Sequence, residues 1–148
     1  MIAKVLWDAY CTTTLGYDGQ DNKHVNLIPT ADDYGDWPWG EDVLEVFIIS
    51  AANPYSEKLT DQENVKREHL LEADLEYAGF KYLPCRGQSP DGQWVEQSLL
   101  VIGAHLPSIR TFGAKYSQNA VFRWTPSTWE CVSLISEQHF VTGWKIIF

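Results

Sequence analysis

Residues 43–52 form a nearly unbroken apolar run, broken only at Glu45 and Ser50. A run of this length predicts a strand covered on both faces. Asn53-Pro54-Tyr55-Ser56 ends it. Thr60-Asp61-Gln62-Glu63 then fits a capping box, and a helix over about 61–78 follows, stopped by Gly79. At 100° per residue, Leu71, Leu75 and Ala78 define its buried face. Asn64 and Arg67 fall on the same face, one and two turns earlier. An inward guanidinium has to find partners, because an unpaired buried charge is expensive.

Residues 80–85 read as a short strand, and Pro90-Asp91-Gly92 as a turn. Residues 94–103 read as the next strand, with Trp94, Glu96, Ser98, Leu100 and Ile102 on one face. A second helix is predicted over 107–116, a strand over 119–124, a turn at 125–128 and a hairpin partner over 129–135. Residues 141–147 add a last strand. Residues 3–15 fit either a strand or a short helix followed by one. Residues 16–42, rich in Gly, Pro, Asn and Asp, read as a long acidic loop region with a short strand at 24–28. One domain over 1–148 is expected, of α+β class. Its core has the split βαβ, ferredoxin-like order (β-α-β-β-α-β), with additional N- and C-terminal strands on the sheet.

That topology makes a geometric prediction. The first and third core strands are central antiparallel neighbours, so the end of strand 43–52 meets the start of strand 94–103 and the start of strand 119–124. Asn53, Ser56, Asn64, Arg67, Trp94, Glu96, Gln118 and Asn119 then converge at one end of the sheet. Convergent polar groups beside an aromatic wall mark a ligand pocket. A competing structural reading makes Arg67 and Glu96 a buried ion pair.

Charge narrows the function classes. The 148 residues carry 20 acidic and 11 basic side chains, for a net charge of −9, which argues against direct nucleic-acid binding through a basic field. No apolar run is long enough to span a membrane, and the opening segment lacks a signal-peptide apolar block. Cys11, Cys85 and Cys131 are an odd set without CxxC spacing, as expected of reduced thiols in a cytoplasmic protein. His24, His69, His105 and His139 show no metal-ligand spacing, so no metal is expected. GxSxG, Walker and GxGxxG motifs are absent, and no cofactor is implied. Asp32, Asp33, Asp36, Glu41 and Asp42, with Trp37 and Trp39 among them, form a second unusual feature. They read either as a solvated acidic loop or as an interaction surface for a basic protein partner.

Several motifs carry a family resemblance: Asn53-Pro54-x-Ser56, Asn64-x-x-Arg67, Pro90-Asp91-Gly92-x-Trp94-x-Glu96-x-Ser98 and Gln118-Asn119-Ala120-Val121. Together with Leu6-Trp7-x-Ala9-Tyr10-x-x-Thr13, they resemble the bacterial family catalogued as domain of unknown function 3293. The acidic stretch 31–45 is longer than that pattern. The resemblance implies a shared fold and site and supplies no activity.

Three functions follow from these residues. The first is a ligand-binding domain for a polar or anionic small molecule, a nucleotide among the candidates. In it Arg67 holds the anion, Asn53, Ser56, Asn64, Gln118 and Asn119 read polar edges, and Trp94 stacks. The second is an enzyme with Glu96 as general acid or base and Arg67 stabilising negative charge. The third is an acidic interaction module, such as an inhibitor of a nucleic-acid-binding complex.

Overall fold

The computed structural model describes residues 1–19, 21–31 and 33–148. The chain runs α1 (Lys4–Cys11), β1 (Thr14–Asp18), β2 (His24–Thr30), β3 (Val46–Ile49), a 3-10 turn (Pro54–Ser56), α2 (Asp61–Tyr77), β4 (Lys81–Gln88) and β5 (Val95–Ile102). It continues with α3 (Leu106–Lys115), β6 (Ala120–Trp124), β7 (Trp129–Ser133) and β8 (His139–Ile147). The eight strands close into an antiparallel barrel in the order β1-β2-β8-β7-β6-β3-β5-β4.

This corrects the expected open, ferredoxin-like sheet. Four strands do lie as neighbours in the order β4-β5-β3-β6. The difference comes from the two ends of the chain. β1 pairs with β4, β7 with β6, and β8 joins β7 to β2, so both edges of the four-strand block are covered and the sheet curls shut. Closure leaves no edge strand exposed. The region expected to be a loop with a short strand at 24–28 supplies part of β1 and, around that strand, all of β2. There the alternation Leu15, Tyr17 and Val25, Leu27 buries one side chain in two, among Gly, Asn and Pro residues that mask the pattern.

Two cores share β3. Val46 and Ile48 point into the barrel with Leu15, Leu27, Leu100, Trp124, Trp129 and Trp144. Phe47 and Ile49 point outward, where Leu71 and Leu75 of α2 and Ile109 of α3 cover them. Both faces of β3 are therefore buried, the arrangement its unbroken apolar run requires. α2 begins with the capping box: Thr60 Oγ1 accepts from Glu63 N at 3.2 Å, and Glu63 Oε1 accepts from Thr60 N at 3.3 Å. It ends before Gly79, whose φ of +82° takes the chain out of the helix. Ala78, expected on the buried face, is exposed at the helix end.

Indoles close the barrel at the end where β3 begins. Trp37 lies 5.3 Å from Trp124, and Trp39 lies 5.9 Å from Trp124 and 5.7 Å from Tyr17. Trp37 Nε1 donates to Val43 O at 2.8 Å. The segment carrying them is pinned to β8, where Trp144 N donates to Asp33 O at 2.9 Å. Among the described residues, no helix is long and apolar enough to cross a membrane.

Candidate functional site

The other end of the barrel, where β3 finishes, has an opening lined by both apolar and polar side chains. A pocket of ≈ 40 Å³ lies there, lined by inward-facing Ile48 and Ser50, Glu96 and Ser98 of β5, Ala120 and Phe122 of β6, and Gly87 of β4. Tyr10 and Thr13 form the α1 side, and Asn53, Ser56, Trp94 and Gln118 the rim.

Among the described residues, Glu96 is the one charged side chain that lines the pocket. It is half-buried, and burial pushes its carboxyl above the usual range, partly offset by the Ser50 hydroxyl and the Asn53 amide. Asn53 Nδ2 donates to Glu96 Oε2 at a long 3.4 Å. Among the described residues, no Lys, Arg or His lines the pocket. The Tyr10 phenol is also raised, chiefly by burial and slightly by the Glu96 charge. Trp94, 44% exposed, leaves part of its indole open to a ligand.

The rim is a strained turn. Asn53, Tyr55 and Ser56 have φ of 48°, 49° and 63°, and Ser117, which faces them, has 58°. Non-glycine residues in this left-handed region cost about 1–3 kcal/mol each and persist only when their surroundings over-determine them. Here the surroundings do so. Asn53 Oδ1 accepts from Leu59 N at 3.0 Å and from Asn64 Nδ2 at 2.9 Å. Tyr55 N donates to Ser117 O at 2.6 Å. Ser56 Oγ accepts from Asn119 Nδ2 at 3.1 Å and shares a hydrogen bond with Tyr10 OH at 2.8 Å.

The eight residues expected to converge thus separate into two groups. Asn53, Ser56, Trp94, Glu96 and Gln118 line the pocket. Asn64 and Asn119 stand behind the turn and hold it. Arg67 does neither: its Nε donates to Ala51 O at 2.6 Å, and its Nη2 donates to Tyr116 O, tying the end of β3 to the end of α3. Gln118 Nε2 reinforces the same junction on Ala52 O and Tyr116 O at 3.0 and 3.1 Å. The Arg67–Glu96 pair of the competing structural reading is not formed. α2 packs on the outer face of the sheet, whereas strand alternation turns Glu96 to the inner face, so the sheet itself stands between them.

Sequence reasoning missed Tyr10, Ser50 and Phe122 as pocket residues. Tyr10 carried a signal in the opening motif, while Ser50 and Phe122 come into view only once the strands are known to face a barrel interior.

Residues 49–121 match the family described as "Protein of unknown function (DUF3293)". The DUF3293 span runs from β3 into β6. It holds the strained turn, Trp94, Glu96 and Gln118, while Tyr10, Ile48 and Phe122 lie outside it. No curated protein and no solved structure shows significant similarity to the chain.

Two other features carry less chemistry. A larger cleft of ≈ 320 Å³ lies against the outer wall near β6, β7 and α3. Its central charges satisfy one another: Arg123 donates to Glu45 at 2.6 Å and to Glu130 at 2.7 Å, and Glu130 also meets His139 at 2.7 Å. On the acidic segment, Asp33, Asp36, Glu41 and Asp42 are exposed, whereas Trp37 and Trp39 are half-buried against the barrel interior; Asp32 lies outside the described residues. The indoles expected as anchors for a partner are engaged internally. All three cysteines are free, and burial pushes the Cys85 and Cys131 thiols up, away from reactivity. Among the described residues no group of three His, Cys, Asp or Glu is placed to hold a metal ion.

Proposed function

We propose that the protein is a small-molecule-binding module whose site is the open mouth of the barrel. The observation that carries this reading is Glu96: a half-buried carboxylate without a cationic partner, facing free space beside Trp94. A carboxylate set in a barrel interior for structure alone would be paired, because an uncompensated charge costs stability. The strained turn argues the same way, since left-handed non-glycine residues cluster at ligand sites. Trp94 supplies an aromatic face, and Asn53, Ser56 and Gln118 supply amide and hydroxyl groups. The volume suits a head group of a few heavy atoms rather than a whole nucleotide.

The test is native mass spectrometry of protein taken directly from cells, paired with Glu96→Gln. A retained adduct that disappears in the variant supports the reading. A wild type free of adducts, whose tryptophan fluorescence responds to no member of a charge-diverse fragment set, overturns it.

The raised Glu96 carboxyl favours a second reading, an enzyme in which Glu96 is general acid or base. Arg67 is not part of this reading, because its guanidinium is committed to backbone carbonyls. Turnover dependent on Glu96 would separate catalysis from binding.

A further inference from the structure

The pocket's surroundings say more about the ligand than that it is polar. An anion entering the mouth would meet Glu96 and no compensating cation, since among the described residues no Lys, Arg or His lines the space. Arg67, the sequence's candidate anion holder, donates instead to Ala51 O and Tyr116 O outside the barrel. The protein's net charge of −9 opposes the approach of anions from solution as well.

What the mouth does offer is acceptors and aromatic rings. Glu96 brings a carboxylate that takes a long 3.4 Å hydrogen bond from Asn53 Nδ2 and has the Ser50 hydroxyl beside it, with no cation among its neighbours in the described pocket lining, so part of its hydrogen-bonding capacity is unspent. Tyr10 and Phe122 stand edge to face with centroids 6.5 Å apart, and Trp94 closes the outer side. A carboxylate surrounded by aromatic rings is the environment that recognises organic cations: the acid supplies the counter-charge and the ring faces supply cation–π attraction. A volume of ≈ 40 Å³ admits an ammonium group and its first carbons while leaving the rest of a ligand outside, along Trp94.

We propose that the barrel mouth takes the ammonium head group of an organic amine, with Glu96 as counter-charge and Tyr10 and Trp94 as aromatic walls. This rests on the binding reading above and sharpens it from polar ligand to cation. A free amine and a lysine side chain present the same head group, and the experiment separates them.

Calorimetric titration with cadaverine, choline, a Gly-Gly-Lys-Gly-Gly peptide, butanol and adenosine monophosphate tests the class, with the tryptophan fluorescence change that is lost in Trp94→Leu as an independent readout. Binding of cadaverine or choline, weakened at least tenfold in Glu96→Gln and in Trp94→Leu with no binding of butanol or the nucleotide, is the expected result. Binding of the peptide with no response to cadaverine assigns the same head-group chemistry to a lysine side chain. Glu96→Gln should remain folded, as thermal unfolding will show, because it removes a charge and keeps the shape.

Adenosine monophosphate or butanol binding in place of the amines overturns the cation assignment and leaves the pocket reading standing. Silence from every probe, with tryptophan fluorescence unchanged, overturns both. Amine binding that is equal in wild type and Glu96→Gln places the cation elsewhere and also overturns the proposal.

Discussion

Asn64 grips Asn53 through a reciprocal pair of hydrogen bonds. Asn64 Oδ1 accepts from Asn53 N at 2.9 Å, and Asn64 Nδ2 donates to Asn53 Oδ1 at 2.9 Å. A helix residue thereby fixes a left-handed residue on the pocket rim without itself touching the pocket. Asn64→Ala should cost about 1–2 kcal/mol of stability, from two lost hydrogen bonds and the freed turn. It should also weaken any Glu96-dependent ligand response. Chemical denaturation checks the first part; an unchanged midpoint would refute the grip.

Arg67 is predicted to be a structural tie. Arg67→Ala leaves the Ala51 carbonyl without its guanidinium donor and is expected to destabilise by about 2–3 kcal/mol. Arg67→Lys should recover only part of that loss, because an ammonium cannot reproduce the fork of the guanidinium. Thermal unfolding of the two variants decides the point, and a lysine variant as stable as wild type would contradict it.

Glu96 gives a pH dependence whose sign is set by its raised carboxyl. The folded state holds this proton more tightly than the unfolded chain, whose ordinary value is 4.5. The group therefore contributes stability below about pH 4.5, and this is lost as pH rises through its higher folded-state value. Glu96→Gln has no such loss. Melting curves from pH 4 to 7 should show the variant gaining on wild type as pH rises, and parallel curves would refute the assignment.

Gly143 is expected to be intolerant of any side chain. A Cβ there would lie 1.8 Å from Asp33 O, where the acidic segment crosses β8. Gly143→Ala must push backbone apart or release the segment, at a cost of about 1–3 kcal/mol. Loss of the segment would uncover Trp37 and Trp39, so increased accessibility of indoles to acrylamide quenching accompanies the drop in stability if this contact pins the segment to β8.

Much of the architecture was legible because its signals are local. The 43–52 run, the Thr60–Glu63 capping box, Gly79 and the Pro90-Asp91-Gly92 turn each declare an element through a mechanism that needs no distant partner. Barrel closure was not legible. It depends on β2 meeting β8 across more than a hundred residues, and no periodicity within either strand records its neighbour. The site shows the same division. Asn53, Trp94, Glu96 and Gln118 were placed together because their convergence needed only the order of β5, β3 and β6. The Arg67–Glu96 pair failed because strand alternation specifies two faces without saying which one a helix will cover. Trp37 and Trp39 read as surface anchors because the carboxylates around them are exposed, whereas the indoles turn inward.

β8 is inserted between β2 and β7, and this has a consequence for the order of folding during synthesis. The β4-β5-β3-β6 block finds all its internal pairing within residues 46–124, so the pocket's main walls can assemble on a nascent chain. Until residues 139–147 have emerged, however, β2 and β7 each present an open edge. Such edges pair readily with other chains. Closing them requires the most sequence-distant contact in the barrel, the kind that slows folding most. The mouth of the barrel can thus assemble early, whereas protection from self-association waits for the last strand.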